Sequence, residues 1–136
     1  MNFNEEITKK INLEENDGLS SYMNMAAQQN HNVYEVFYNF LNEVKPKRIL
    51  EIGTALGGFT QFLNKVSKES NLDINILSYD IHRMNWYDTM IDEGIDVRVE
   101  NVFNNDYSSV NQEIIDFIKE DGLTLVLCDG GNKVGE

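Results

Sequence analysis

The spacing of apolar residues changes several times along the chain, and the changes mark alternating helices and strands. Between Asn32 and Val44 apolar residues recur every three or four positions, which is typical of an amphipathic helix. Short apolar runs predict strands one to four, at about residues 48–52, 74–79, 95–101 and 123–128. Helical spacing returns at about residues 57–68, 85–93 and 107–120. This alternation predicts a parallel sheet with right-handed crossovers.

The first thirty residues show a weaker pattern than the rest of the chain. Residues 1–21 are polar and Tyr22 to Asn30 has moderate helix propensity, so we expect an N-terminal arm or helix at 1–30. Residues 31–136 are the predicted core, a Rossmann-like doubly wound α/β sheet with strand order 3-2-1-4, preceded by a helix. The length of 136 residues suits a single domain.

Strand four is apolar along its whole length, which is typical of a strand covered on both faces. In the order 3-2-1-4 it would lie at an open edge of the sheet, and natural proteins avoid exposed edges. The C-terminal strands that usually complete such a sheet are missing from the predicted elements. We therefore expect either that the chain is a fragment of a longer domain or that two copies form a homo-oligomer through strand four.

Composition narrows the range of partners. A net charge of -12 disfavours binding to nucleic acid or to an anionic membrane. The apolar runs are shorter than the ~20 residues of a membrane helix, and the charged N-terminus is not a signal peptide. Cys128, the single cysteine, cannot form an internal disulfide and lies in an apolar run. We therefore expect a buried thiol and a cytoplasmic protein.

The clearest candidate for chemistry is the stretch RILEIGTALGGFTQF, residues 48–62. It reads as a strand, a turn of small residues and a helix, which is the first unit of a nucleotide-binding α/β sheet. Glycines in the turn allow positive φ and close approach of a ligand, and helix-start N–H groups favour negative or polar ligand atoms. Glu51 places a carboxylate beside this turn, where it could accept hydrogen bonds from an amine or a hydroxyl.

Polar residues also follow the other strands, at the sheet edge where ligands of such folds bind. Asp80 could accept two hydrogen bonds from a ribose diol, or it could cap a loop. Residues 101–103 could face a base ring or form a plain turn. Asp129 could hold a ligand amine, a metal or a substrate proton, or form a turn. Trp86 and Tyr87 could wall an adenine pocket or pack a helix on the sheet.

These residues resemble the class I S-adenosylmethionine-dependent methyltransferases over about residues 47–133. The motif EIGTALGG is most similar to small-molecule O-methyltransferases of the catechol and caffeoyl-CoA type, and to the macrocin O-methyltransferase and cephalosporin-hydroxylase-like groups. The resemblance implies a cofactor site for S-adenosylmethionine made by Glu51, Gly53, Thr54, Ala55, Gly57, Asp80, Ile81, Asn101 and Val102. It places the ribose on Asp80 and the adenine against Ile81, and it matches Asp129 to the acidic residue near the transferable methyl group. We take Asp129 as the candidate catalytic residue.

The sequence departs from this family pattern in two places. Ala55 stands where many methyltransferases have the middle glycine of the turn. The later strands, which supply much of the substrate pocket and further acidic ligands in metal-dependent members, are missing from the predicted elements. A divalent metal is therefore implied only for some relatives, and we assign no metal-binding residue to this chain.

Three functions fit the pattern. The first is methyl transfer from S-adenosylmethionine to a small-molecule acceptor, at oxygen. The second is an NAD-dependent oxidoreductase, although Ala55 breaks the G-x-G-x-x-G spacing. The third is a non-catalytic nucleotide-binding or assembly module that keeps the fold.

Overall fold

The computed structural model describes residues 11–12, 19–22, 25–30, 32–103 and 108–128. Backbone contacts divide the chain into two compact units. The first unit contains the residues up to Lys45 together with Leu56–Ile74. The second contains Pro46–Ala55 together with the residues from Asn75 onward.

The first unit contains a small antiparallel sheet near the N-terminus. Strands β1 (Ile11–Asn12), β2 (Leu19–Tyr22) and β3 (Met25–Asn30) lie in the order β1-β2-β3. The helix expected from Tyr22 to Asn30 is therefore wrong. Moderate helix propensity is a weak preference, and pairing with neighbouring strands overrides it here.

Two helices complete the first unit, α1 (Val33–Val44) and α2 (Gly58–Glu69). Phe62 of α2 packs edge to face on Tyr34 of α1 and on Tyr22 of β2. The Phe62 ring centroid lies 4.9 Å from that of Tyr34 and 5.5 Å from that of Tyr22. All three rings are fully buried, so aromatic packing supplies much of the apolar core of this unit.

The second unit contains the predicted parallel sheet. Its strands are β4 (Arg48–Ile52), β5 (Asn75–Asp80), β6 (Asp96–Val99) and β7 (Thr124–Cys128). They correspond to strands one to four of the prediction and lie in the order β6-β5-β4-β7 with parallel pairing. The Rossmann-like sheet with the order 3-2-1-4 is therefore confirmed.

The helices of the second unit are α3 (Tyr87–Asp92) and α4 (Gln112–Lys119). The helix predicted from Tyr107 begins at Gln112 instead, because the Asn111 side chain accepts a hydrogen bond from the backbone N–H of Ile114 at 3.0 Å and caps the helix there. None of the helices in the described ranges combines the length and apolar character that crossing a bilayer requires.

The core of the second unit lies on one face of the sheet, where side chains of β4 and β5 pack against α4 and against the residues after β6. Its buried residues are Leu50, Leu77, Tyr79, Val102 and Ile114. β7 lies at the side of this sheet, and within the described residues it pairs with β4 alone. Val126 is 44% exposed and Cys128 is also exposed. We expected strand four to be covered on both faces and the thiol of Cys128 to be buried. Both expectations are wrong for the described part of the chain.

Candidate functional site

The carboxyl ends of β4 and β5 lie side by side in the sheet. Glu51 of β4 pairs with Ser78 of β5, and Ile52 pairs with Tyr79. Parallel pairing therefore brings Glu51 and Asp80 to the same edge of the sheet. We call this edge, residues 51–55 and 78–81, the carboxyl rim.

Three consecutive residues after β4, which we call the β4 loop (Gly53, Thr54 and Ala55), are tied to β5 through their backbone N–H groups. The N–H groups of Gly53 and Thr54 both donate to the carbonyl oxygen of Tyr79, at 2.7 and 3.1 Å. The N–H of Ala55 donates to Asp80 Oδ2 at 2.7 Å. Gly53 has φ 111°, which a side chain would strain. These amides fix the loop on the rim and do not point to a ligand.

Ala55 is held at both its N–H and its carbonyl oxygen, which belong to the two peptide units that flank its Cα. Its φ of 50° lies in the left-handed region, which is unusual for a residue with a Cβ. Asp80 accepts from its N–H, and the Tyr87 hydroxyl donates to its carbonyl oxygen. Ala55 therefore adopts at this position the backbone conformation that a glycine would take readily, with two side chains fixing it.

Tyr87, the first residue of α3, is fully buried. Its ring therefore does not form an exposed wall for an adenine, and its hydroxyl binds the β4 loop instead. Burial, together with the nearby negative charges of Asp80 and Glu51, raises the pKa of Tyr87 well above its ordinary value of 10.0. The hydroxyl thus stays protonated near neutral pH and acts as a donor.

A chain of hydrogen bonds connects Glu51, Ser78 and Thr54. The Ser78 hydroxyl donates to Glu51 Oε1 at 2.6 Å, and the hydroxyl oxygens of Thr54 and Ser78 lie 2.6 Å apart. Because a serine has a single hydroxyl hydrogen, Thr54 must be the donor to Ser78. All three residues are buried, so a carboxylate is stabilised at the rim by a charge-assisted relay.

Asp80 already has partners at both of its oxygens. Oδ2 accepts from the N–H of Ala55, and Oδ1 accepts from the N–H of His82 at 3.0 Å. The loop-capping role considered from the sequence is therefore present. Each carboxylate oxygen has about two acceptor positions, and Asp80 is half-buried, so the group keeps acceptor capacity for a ligand. Ile81 beside it is 63% exposed, an apolar surface that a flat ring could cover.

The remaining predicted site residues fall in different environments. Asn101 is exposed, and its Oδ1 accepts from the N–H of Phe103 at 3.2 Å, as in a plain turn. Val102 is buried in the core of the second unit, so its side chain does not line the rim. Gly57 belongs to the first unit, at the N-cap of α2 with φ 84°. Asp129 lies outside the described residues.

One residue of the rim, Ser78, and one contact, between Tyr87 and Ala55, were missed from the sequence. Ser78 is a polar residue inside the apolar run of strand two, and a buried hydroxyl there signals a polar partner. The bond between Tyr87 and Ala55 spans 32 positions, and no local pattern could indicate it. Within the described residues, no group of three His, Cys, Asp or Glu side chains could hold a metal ion.

Comparison with known proteins finds a family for this sequence and solved structures of similar fold. A family model described as FtsJ-like methyltransferase matches residues 22–136. No curated protein matches the sequence. Two solved structures of cmcI are similar in fold. The one described with Mg and SAM is 15% identical, with a TM-score of 0.59, and the match covers 80% of this chain and 45% of that chain.

The other cmcI structure, described with SAH, is 14% identical with a TM-score of 0.56. That match covers 83% of this chain and 53% of that chain. The chain therefore spans about half the length of the solved structures that it matches.

Proposed function

The chain belongs to the FtsJ-like methyltransferase family, and on that premise we propose that it binds S-adenosylmethionine at the carboxyl rim and transfers the methyl group to a small-molecule acceptor, at oxygen. The observation that carries this proposal is the pair of carboxylates, Glu51 and Asp80, at the ends of two adjacent parallel strands, with the β4 loop tied between them. Ligands of such sheets bind at this edge.

The residues of the rim suit the parts of this cofactor. S-adenosylmethionine carries a ribose diol, whose hydroxyls are donors, and Asp80 has acceptor capacity beyond its two backbone amides. Ile81 offers an exposed apolar surface to the adenine. Gly53, without a side chain, lets a ligand approach the backbone of the loop. Glu51 supplies negative charge beside a cofactor that carries a sulfonium and an amine.

S-adenosylmethionine supplies an electrophilic methyl group, so the protein mainly has to orient the two reactants. The fixed β4 loop serves this purpose because its backbone amides are already satisfied and need not rearrange when the cofactor binds. A base is required only where the acceptor is protonated. We propose Asp129 for that role, and loss of turnover in Asp129→Asn with unchanged cofactor affinity is its test.

The acceptor is proposed from charge. A net charge of -12 favours a small molecule over a polyanion. FtsJ-like proteins often act on RNA, so an RNA acceptor is the rival that the acceptor assay must include. We also propose a cytoplasmic location, on the basis of the single cysteine. Pairing of two copies through the edge of β7 stays a prediction, tested by light scattering after size exclusion.

Calorimetric titration with S-adenosylmethionine, S-adenosylhomocysteine and NAD tests the proposed cofactor. We expect binding of the first two ligands in the micromolar range and no binding of NAD. Binding of NAD alone would support the oxidoreductase considered from the sequence. A folded protein that binds none of the three would contradict the proposal and favour a non-catalytic module.

A further inference from the structure

The β4 loop is held by two kinds of contact, and only one of them comes from β5. The N–H groups of the loop donate to Tyr79 and Asp80, which precede α3. The carbonyl oxygen of Ala55 instead accepts from Tyr87. The last residue of the loop is therefore fixed at both its donor and its acceptor, by side chains from two different elements.

The position of the Tyr87 hydroxyl is itself well defined. The ring is fully buried, and the backbone N–H of Tyr87 donates to the carbonyl oxygen of Met84 at 3.1 Å, which fixes the start of α3. A buried aromatic ring has few alternative rotamers, so the hydroxyl is presented to Ala55 in one geometry. A donor held in this way can select one orientation of the Ala55 peptide.

A contact that fixes the backbone conformation matters more at Ala55 than it would at a glycine. Its φ of 50° is costly for a residue with a Cβ, and the extended or helical regions are its ordinary alternatives. A return to either region would rotate the peptide that joins the β4 loop to the residues leading into α2. The hydrogen bond to Asp80 holds the peptide unit before Ala55, and the one from Tyr87 holds the peptide unit after it. Together they oppose the rotation.

We propose that Tyr87 is a positioning residue for cofactor binding, whose hydroxyl holds Ala55 in the left-handed conformation and so keeps the β4 loop in its binding-competent form. This inference rests on the proposed function for its effect on affinity. Its effect on the loop itself does not depend on a ligand. Tyr87 acts through Ala55 and does not have to contact the cofactor.

The backbone amides of the β4 loop report on its conformation through hydrogen exchange. The amides of Gly53, Thr54 and Ala55 are all hydrogen-bonded, so each should exchange slowly with solvent as long as the loop keeps its form. Tyr87→Phe removes the hydroxyl and keeps the ring. Tyr79→Phe is the matched control, because it leaves in place the Tyr79 carbonyl oxygen that holds the loop and removes only a buried hydroxyl that makes no hydrogen bond to the loop among the described residues.

We expect faster amide exchange at residues 53–55 in Tyr87→Phe, with exchange at the centres of β4 and β5 unchanged. Affinity for S-adenosylhomocysteine should fall about tenfold, the effect of one lost hydrogen bond. Tyr79→Phe should change neither. Replacement of Tyr87 by 4-aminophenylalanine, which keeps a donor at the same place, should restore both slow exchange and affinity.

Unchanged exchange in Tyr87→Phe would overturn the inference, and so would faster exchange with wild-type affinity. An equal loss of affinity in Tyr79→Phe would show that the effect is general packing. If the wild-type protein binds neither S-adenosylmethionine nor S-adenosylhomocysteine, the proposed function fails. The exchange data and the 4-aminophenylalanine rescue then decide alone whether Tyr87 holds the loop.

Discussion

The two ends of β4 carry opposite charges at the same depth. Arg48 begins the strand and Glu51 lies near its end, and each residue is 4% exposed. The guanidinium of Arg48 donates to the carbonyl oxygens of Glu120, Asp121 and Gly122 at 2.6–2.8 Å. Its Nε also donates to Thr124 Oγ1 at 3.0 Å. Most of the donors of this cation are therefore used within the protein.

The carboxyl end of the strand is arranged differently. The backbone amides of the β4 loop donate to the carbonyl oxygen of Tyr79 and to Asp80. Glu51 is joined to the same loop through the side chains of Ser78 and Thr54. A carboxylate can accept about four hydrogen bonds, which is more than the three N–H groups of the β4 loop donate. Arg48 and Glu51 are thus buried to a similar degree, but the donors of Arg48 are used within the fold, whereas we propose that the carboxyl end keeps acceptors for a ligand.

The largest effect on stability is expected at the amino end. Arg48→Met should lower the free energy of unfolding by about 3 kcal/mol, because it removes charge-assisted hydrogen bonds to three carbonyl oxygens. Urea denaturation measures this loss. Affinity for S-adenosylhomocysteine should not change in the folded variant, since Arg48 lies at the opposite end of the strand.

Arg83→Met is the control for charge alone. Arg83 is about half exposed and pairs with Asp88 at the surface, so its loss should cost at most about 1 kcal/mol. Equal destabilisation by the two variants would contradict the structural role assigned to Arg48.

A smaller effect on stability, joined by an effect on binding, is expected at the carboxyl end. Ser78→Ala removes the hydroxyl between Thr54 and Glu51, so the buried Glu51 carboxylate loses the hydrogen bond that this hydroxyl donates. The free energy of unfolding should fall by about 2 kcal/mol, and the affinity for S-adenosylhomocysteine should fall with it. Denaturation and calorimetry on the same samples measure both.

Ser70→Ala serves as the matched control, because the buried Ser70 hydroxyl has no hydrogen-bond partner among the described residues. It should change the free energy of unfolding by less than about 0.5 kcal/mol. If Ser78→Ala loses stability and keeps full affinity, the relay is structural and Glu51 does not serve the ligand.

The smallest effect near neutral pH is expected from the buried tyrosines. Burial, reinforced by the charge of Glu113, raises the pKa of Tyr79 from 10.0 to about 12. The unfolded chain therefore loses this proton first, and the stability present below pH 10 should be lost as the pH rises from 10 toward 12. Thermal unfolding across this range should show a shallower decline in Tyr79→Phe than in the wild type. Identical slopes would contradict the raised pKa.

The parallel sheet could be predicted because its strands are short apolar runs, bounded by turn residues and separated by helical spacing. β2 and β3 could not, since their residues are mostly polar and small, and their strands are held by antiparallel pairing that local propensity does not encode. The exposure of Cys128 was missed for a related reason. An apolar run does not show whether both faces of a strand are covered.

The arrangement of the candidate residues was predictable in outline, and their contacts were not. Glu51 and Asp80 could be placed at one edge because parallel strands align their carboxyl ends. The sequence did not show that Asp80 caps the β4 loop, because its partner Ala55 lies 25 positions away. It also did not show that the side chain of Val102 belongs to the core.

The most direct test of the carboxyl rim as a cofactor site uses Asp80 and the ribose together. Asp80→Asn removes the charge and keeps an acceptor for one of the two backbone amides, while its NH2 group takes the place of the other acceptor. S-adenosylhomocysteine and an analogue that lacks both ribose hydroxyls are then titrated into the wild type and the variant. Because the two ligands are compared within each protein, this cycle separates a ribose contact from the loop-capping role of Asp80, which Asp80→Asn weakens and Asp80→Ala would remove entirely.

The wild type should prefer S-adenosylhomocysteine to the analogue by about 10- to 100-fold, the effect of charge-assisted hydrogen bonds. In Asp80→Asn that preference should nearly disappear. An undiminished preference in the variant, with the β4 loop still protected from amide exchange, would show that the ribose binds elsewhere and would contradict the assignment of the carboxyl rim.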